Sequence, residues 1–266
     1  RLRPILTLMS CELFGGDTSN ALDAALAIEM FHNFSLIHDD IMDDAPIRRG
    51  KETVHLKWDV NTGILSGDAM LVLANRLFEF YDNNLYKKLT IQFNKTALEV
   101  CEGQQYDFDF ETRTDVAIEE YLKMITLKTA VLVATSLKFG AIIAGAKESD
   151  VTRLYEYGIN LGIAFQLQDD YLDVFGEVDF GKQKAGDITE NKKTFLFLKA
   201  QELASIKDKK QLLKLYTTKE FSKDKIILVT QIFKNYKIPE LMNIEIDNYT
   251  SKAIESVNNT TLTEDK

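Results

Sequence analysis

Asp39, Asp40 and Asp43, within LIHDDIMDDAPIRRG, repeat the spacing of Asp169, Asp170 and Asp173, within FQLQDDYLDVFG. Both sets read Asp-Asp-x-x-Asp, and basic residues follow each at short range. On a helix, positions i and i+4 share a face, with Cβ atoms roughly 5–6 Å apart. Asp39 with Asp43, and Asp169 with Asp173, would therefore each grip a hard cation from one side. Carboxylate oxygens suit Mg²⁺, which completes its shell with water and substrate phosphate. A single acidic triplet is commonly a solvated helix face. These two sit among Leu36, Ile37 and Ile41, and among Phe165, Leu167, Tyr171 and Leu172. Aspartates embedded in apolar helices point to an interior cavity, where like charges are costly unless paired or metal-bound. Acid clusters followed by Arg or Lys suggest a phosphate-rich anion held through bridging metal.

The elements that must carry these residues read as helices. Apolar residues recur at helical spacing, period-two alternation is scarce, and the only prolines are Pro4, Pro46 and Pro239. A helix is predicted from about Pro4 to Phe14, stopping at Gly15-Gly16. Ser19 is a good N-cap for the next, which would run through Leu22, Leu26, Met30 and Leu36 to the first aspartates. Pro46 and Gly50 mark a loop. Helical patterns return over Asn61–Tyr81, Thr90–Phe110, Val116–Ala146 and Asp150–Phe175. Gly176–Gly186 reads as a loop carrying Lys182 and Lys184, and the polar stretch Asp247–Lys266 is expected to fray. The expectation is an all-α single domain over residues 1–266, a helical bundle around a central cavity.

Composition narrows the function classes. With 266 residues and 45% hydrophobic content, the chain can bury an ordinary soluble core. A net charge of −9 argues against nucleic acid as a partner. Cys11 and Cys101 form neither a disulfide framework nor a zinc site, so a reducing, cytoplasmic setting is expected. The most apolar stretch, Ala130–Ala146, is interrupted by Lys138 and is short for a bilayer span; it reads as a buried core helix. The chain opens on RLRP without Met, from which an incomplete N-terminus is expected.

In order along the chain, RLRP, SLIHDDIMDDAPIRRGKETVH, LSGDAML, EGQQYD, LKTA, FQLQDDYLDVFG and GDITENKKTF resemble the motifs of the trans-isoprenyl diphosphate synthases, the head-to-tail prenyltransferases. The resemblance covers nearly the whole sequence. It implies Mg²⁺-dependent condensation of isopentenyl diphosphate with an allylic diphosphate, the latter bridged between the aspartate clusters by about three Mg²⁺. The C–O bond breaks towards an allylic cation, the isopentenyl double bond attacks it, and a proton is lost to the departing diphosphate. The protein then supplies orientation and electrostatics rather than a nucleophile. The resemblance also implies a homodimer.

Roles carried over by resemblance are specific. Asp39, Asp40 and Asp43 resemble the first metal set, with Asp39 and Asp43 as direct ligands. Asp169 resembles the strongest ligand of the second set, with Asp170 and Asp173 behind it. Arg48 resembles the arginine on the allylic diphosphate and Arg49 the one on isopentenyl diphosphate; guanidinium forks grip phosphate bidentately. Arg3 and His32 match further isopentenyl diphosphate contacts, whereas His38 reads as structural. Lys128, Thr129, Lys182 and Lys192 match contacts of the allylic diphosphate, and Gln166 a polar contact beside the reacting carbon. Gln104 and Asp107 match polar contacts beneath the metals.

Phe34, five residues before the first aspartate, resembles the tunnel floor of short-chain enzymes, with Phe31 one turn deeper and Ser35 relaxing the floor. The two-residue insertion that many bacterial farnesyl enzymes carry in the first cluster is absent. A C15–C20 product is expected, C20 favoured. The alternatives are a longer-chain (C25 or more) synthase, or a non-catalytic subunit of a heteromeric prenyltransferase; such subunits usually lose an aspartate cluster. A terpene cyclase would normally replace DDYLD with an Asn/Asp–Ser/Thr–Glu motif. The same residues disfavour a squalene-type, head-to-head enzyme. A purely structural acidic bundle would explain the core pattern but not the ordered motifs.

Overall fold

The computed structural model describes residues 1–176, 185–217, 222–258 and 260. In chain order its elements are α1 (Leu2–Leu13), α2 (Leu22–Met42), β1 (Ile47–Arg48), β2 (Lys51–Glu52), α3 (Val54–Lys57), α4 (Val60–Arg76), α5 (Asn83–Thr112), α6 (Ile118–Ile125), α7 (Val131–Ile143), α8 (Glu148–Phe175), α9 (Gly186–Thr189), α10 (Phe195–Leu203), α11 (Ile206–Leu215), α12 (Lys223–Asn235) and α13 (Ile238–Val257). This is the all-α class the periodicity predicts. Among the described residues, the β1–β2 hairpin is the only sheet.

The described chain divides into two compact units. The first comprises Arg1–Ala97 and Leu132–Glu156, with Thr260; the second comprises Leu98–Val131 and Tyr157–Asn258.

In the first unit, α2 packs most extensively against α4. Its inward side carries Ala24, Ala25, Ala27, Ile28, Phe31 and Phe34, all buried. Small residues at the start of that face let neighbouring helices approach; the phenylalanines then fill the interior. A row of aromatic contacts follows: Phe34 to Phe31 at 5.5 Å, Phe31 to Phe93 at 5.4 Å, Phe93 to Phe78 at 5.1 Å and Phe78 to Phe139 at 5.5 Å between ring centroids. Each buried phenylalanine contributes about 1.5–3 kcal/mol by leaving water, so this row holds the aspartate-bearing helix firmly.

The second unit has its core around Phe110, Tyr121, Leu167, Ile188, Leu196, Phe233 and Met242, all nearly or fully buried. Within α8, Leu167, Asp170 and Val174 are buried at helical spacing, while Asp169 is exposed and Asp173 half-buried. One face of α8 therefore enters the core and takes Asp170 with it. The i,i+4 pair Asp169 and Asp173 lies along one side of that face, where the helix is wetter.

Several local expectations need correction. Ser19 does not cap α2: Asp17 Oδ1 accepts from the Ser19 amide at 2.9 Å, capping a 3₁₀ turn at Thr18–Ala21, and α2 starts at Leu22. Asp fits this role because its short carboxylate reaches its own backbone two residues on. The loop at Pro46–Gly50 is a hairpin, with Ile47 opposite Glu52 and Arg48 opposite Lys51. Val116–Ala146 is not one regular helix, because a π turn at Thr126–Ala130 separates α6 from α7. Asp247 onward continues α13 as far as Val257, anchored by the buried Ala253. The stretch Ile118–Ile143 is apolar and long enough to cross a membrane by composition, yet 72% of its most apolar window is buried inside the protein. Lys138 is accommodated there by donating to Gln92 Oε1 at 2.8 Å.

Candidate active site

In the first unit, α2 ends at its own acidic cluster. Asp39 and Asp40 lie in its last turn, which has no basic residue, and Asp43 is its C-cap. Carboxylates at a helix C-terminus oppose the macrodipole, so the cluster needs cations from elsewhere. Arg48 is one. Its Nε and Nη2 donate to Asp40 Oδ1 at 2.8 and 2.5 Å, and its Nη2 reaches Asp39 Oδ2 at 3.4 Å. Asp40 is only 4% exposed. Its bonds and charge outweigh the burial of Arg48 and hold the guanidinium protonated.

The hairpin aims the two arginines. Its turn residues, Arg49 and Gly50, have φ of +54° and +74°. Positive φ at both positions makes a type I′ turn, which matches the twist of the strands. Gly50 accepts this at no steric cost, whereas Arg49 is strained by about 1–3 kcal/mol. The loop is pinned behind the arginines by Thr53, whose Oγ1 donates to Ala45 O at 2.7 Å.

Seven residues before Asp39 on α2, His32 meets Arg3 of α1: Arg3 Nη1 donates to His32 Nε2 at 3.2 Å. Burial first, then the charges of Arg3, Arg1 and Arg48, push His32 down to about 3, so its ring is neutral. Arg3 Nε is buried without a hydrogen-bond partner. Arg3 and His32, both matched by resemblance to isopentenyl diphosphate contacts, are thus in contact with each other. Phe34 is 9% exposed, and Ser35 Oγ donates to His32 O at 2.9 Å. His38 packs on Phe34 at 4.8 Å between ring centroids and lies 3.1 Å from Ile64 O, the structural place expected for it.

In the second unit, the π turn presents Lys128 and Thr129. Such turns are rare and frequent at functional sites. Gly103 on α5 makes the approach possible, since a Cβ there would lie 2.3 Å from the Lys128 amide nitrogen. Lys128 Nζ then donates to Asp107 Oδ2 at 2.6 Å, and Lys192 Nζ reaches the same oxygen at 3.5 Å. Burial would raise the Asp107 carboxyl, but the two ammonium groups outweigh it and hold it below the usual range.

Thr129 Oγ1 donates to Gln166 Oε1 at 2.9 Å, and Gln166 Nε2 to Asp170 Oδ1 at 2.8 Å. Tyr121 Oη donates to Asp170 Oδ2 at 2.6 Å. Both Asp170 oxygens are thereby engaged. Burial pushes its carboxyl up to about 7 despite these two donors, and Asp169 and Asp107 push the same way. Asp173 accepts from the Gly186 and Asp187 amides at 3.2 and 3.1 Å, tying α8 to the start of α9.

Thus Asp40 and Asp170 are each buried on protein donors, while Asp39/Asp43 and Asp169/Asp173 remain as the i,i+4 pairs. Tyr121 and Asp187 escaped the sequence reading. Tyr121 looks like one more core aromatic until its hydroxyl is seen on Asp170. Asp187 lies within GDITENKKTF and is half-buried; lost hydration, with Asp170 and Asp173 beside it, raises its carboxyl well above the usual range. Lys182 lies outside the described residues. Gln104 is half-buried on α5, one turn before Asp107.

The donor set fits Mg²⁺. Every candidate ligand is a carboxylate oxygen. Among the described residues, no three acidic, His or Cys side chains close around an ion. Mg²⁺ takes oxygen ligands, commonly one or two carboxylates plus water and substrate phosphate.

The polyprenyl synthetase family model matches residues 1–234. The geranylgeranyl diphosphate synthase of Sulfolobus acidocaldarius is 40% identical over 264 residues, covering 97% of this chain and 79% of its own length. A crystal structure of a geranylgeranyl pyrophosphate synthase superposes with a TM-score of 0.95 at 50% identity, over 99% of this chain and 82% of that one. A second, from Corynebacterium glutamicum, is complexed with isoprenyl diphosphate and magnesium; it gives a TM-score of 0.90 at 27% identity, over 99% of this chain and 82% of that one. With its motifs, helical architecture and paired acidic clusters in place, the chain belongs to the polyprenyl synthetase family.

Proposed function

We propose that this protein is a prenyltransferase that condenses isopentenyl diphosphate head-to-tail with allylic diphosphates, giving C15–C20 prenyl diphosphate and diphosphate, with C20 favoured. One observation carries the reading. In both clusters a central aspartate is buried on protein donors, Asp40 on Arg48 and Asp170 on Tyr121 and Gln166, while the i,i+4 carboxylate pair beside it stands nearer to solvent. That is the arrangement hard cations and phosphate require, and the arrangement a solvated acidic helix has no use for. The relatives' names support the product range.

Mg²⁺, when bound by Asp39 and Asp43 and by Asp169, would draw charge onto the leaving diphosphate. Arg48, Lys128 and Lys192 would hold that diphosphate as the C–O bond breaks; being fixed in advance, they need no reorganisation during the reaction. Thr129 and Gln166 would set polar atoms beside the allylic carbon. Arg3 and Arg49 would hold isopentenyl diphosphate, with neutral His32 as a dipole rather than a competing charge. Its double bond attacks the allylic cation, and the proton leaves on diphosphate. Phe34 and Phe31 would limit the chain. A cytoplasmic homodimer belongs to the same reading.

Purified protein incubated with isopentenyl diphosphate and dimethylallyl, geranyl or farnesyl diphosphate should release diphosphate only with Mg²⁺. Chromatography should show a C20 end product. Absence of Mg²⁺-dependent diphosphate release from every primer would sink the enzyme reading, and products of C25 or more would overturn the chain length.

A further inference from the structure

Lys225 lies far along the chain from every residue assigned above, on α12, yet it is only 4% exposed. A lysine is almost never buried without partners. Its Nζ donates to Asn191 Oδ1 at 2.6 Å and to Thr189 O at 3.3 Å. Asn191 is itself buried, and its backbone is left-handed at φ +62°. A second lysine holds the same residue through its backbone: Lys193 Nζ donates to Asn191 O at 3.1 Å. Both ammonium groups stand 5.5 Å from the centre of the Tyr216 ring, close enough for the ring face to offset part of their repulsion.

What these lysines hold is the turn that delivers Lys192. The Lys192 amide donates to Asp187 O at 2.9 Å and its Nζ reaches Asp107, beside Lys128. At the other end of the same segment, Asp173 takes the Gly186 and Asp187 amides. Residues 186–192 are therefore fixed at one end by the second aspartate cluster and at the other by Asn191.

We infer that Lys225, with Lys193, clamps Asn191 and thereby sets the position of the Lys192 ammonium for ionisation of the allylic substrate. Lys225 is a positioning residue that touches no substrate. The inference rests on the prenyl-transfer reading for its effect on rate, but not for the clamp itself. Misplacing a charged group by about 1 Å can cost up to about 100-fold in rate.

Lys225→Met keeps the stem and removes the donor. Asn191→Gly keeps the left-handed backbone and removes the acceptor. In either full-length variant, amide hydrogen exchange over residues 186–192 should quicken about 10-fold or more while α13 is unchanged, since local opening is read segment by segment. Unchanged exchange at 186–192 in both variants would overturn the clamp. In steady-state assays both variants should lower kcat about 10-fold or more. In a Lys192→Ala background each should add less than about 2-fold, because residues acting through one group are not additive. A full, independent loss in that background would mean Lys225 does not act through Lys192. If the wild-type chain releases no diphosphate, the prenyl-transfer reading fails and the exchange result alone judges the clamp.

Discussion

Arg48 lays its guanidinium on the buried carboxylate of Asp40, with Nε and Nη2 both donating to Oδ1. Removing one partner of a buried pair strands the other. Arg48→Ala should therefore lower stability by about 1–3 kcal/mol; the pair sits at the low end because Arg48 is 39% exposed and partly screened. Arg48→Lys should recover little, since an ammonium carries its three donors on a single nitrogen and cannot reproduce the planar fork that reaches Asp40 and Asp39 from Nε and Nη2. Urea melts check both, and a wild-type midpoint for Arg48→Ala would refute the structural half of this role.

Arg49 should behave in the opposite way. Its φ of +54° is unfavourable for a long side chain and tolerated by Asn. Arg49→Asn should leave the melting temperature equal or higher, while the KM for isopentenyl diphosphate rises about 10-fold or more, the loss of one charge-assisted contact. A parallel fall in stability and activity would show that Arg49 serves the hairpin rather than a substrate.

Gly103→Ala tests the approach of α5 to the π turn. A methyl group 2.3 Å from the Lys128 amide must push backbone aside, at a cost of about 1–3 kcal/mol. Lys128 moves with it, so kcat should fall more than the stability loss accounts for. The comparison is kcat at a temperature where both proteins are folded.

His32 makes stability depend on pH. Burial and its arginine neighbours lower it from 6.5 to about 3 in the folded protein. A depressed folded value means the unfolded chain binds the proton more readily. The His32 contribution is therefore present above about 6.5 and is lost as pH falls from there towards 3. Replacing His32 with Gln should flatten the stability curve across that window, as measured by denaturation at a series of pH values. An unchanged slope would contradict the assignment.

Phe34→Ala should lengthen the product, because it shortens the aromatic row at the end nearest Asp39. It should also cost about 3–5 kcal/mol as a core truncation, so product analysis belongs at low temperature. If chain length does not increase, Phe34 is not the floor.

The helical class, the order of the motifs and the acidic clusters are local properties, carried by period and residue type, and so were legible in the chain. So was the pairing of carboxylates at i and i+4, which helix geometry alone imposes. The start of α2 was misread because Asp17 and Ser19 both suit a cap and only folding selects between them. The π turn was not legible because nothing local marks it; Gly103, which lets α5 approach it closely, lies more than twenty residues upstream. What only the tertiary structure decided is the division of labour within each cluster. Asp40 and Asp170 have the same side chain as their neighbours. One is buried on a hairpin arginine and the other on a tyrosine and a glutamine from α6 and α8. The charge a carboxylate carries, and what remains for it to bind, depend on the groups packed against it, and those come from distant parts of the chain.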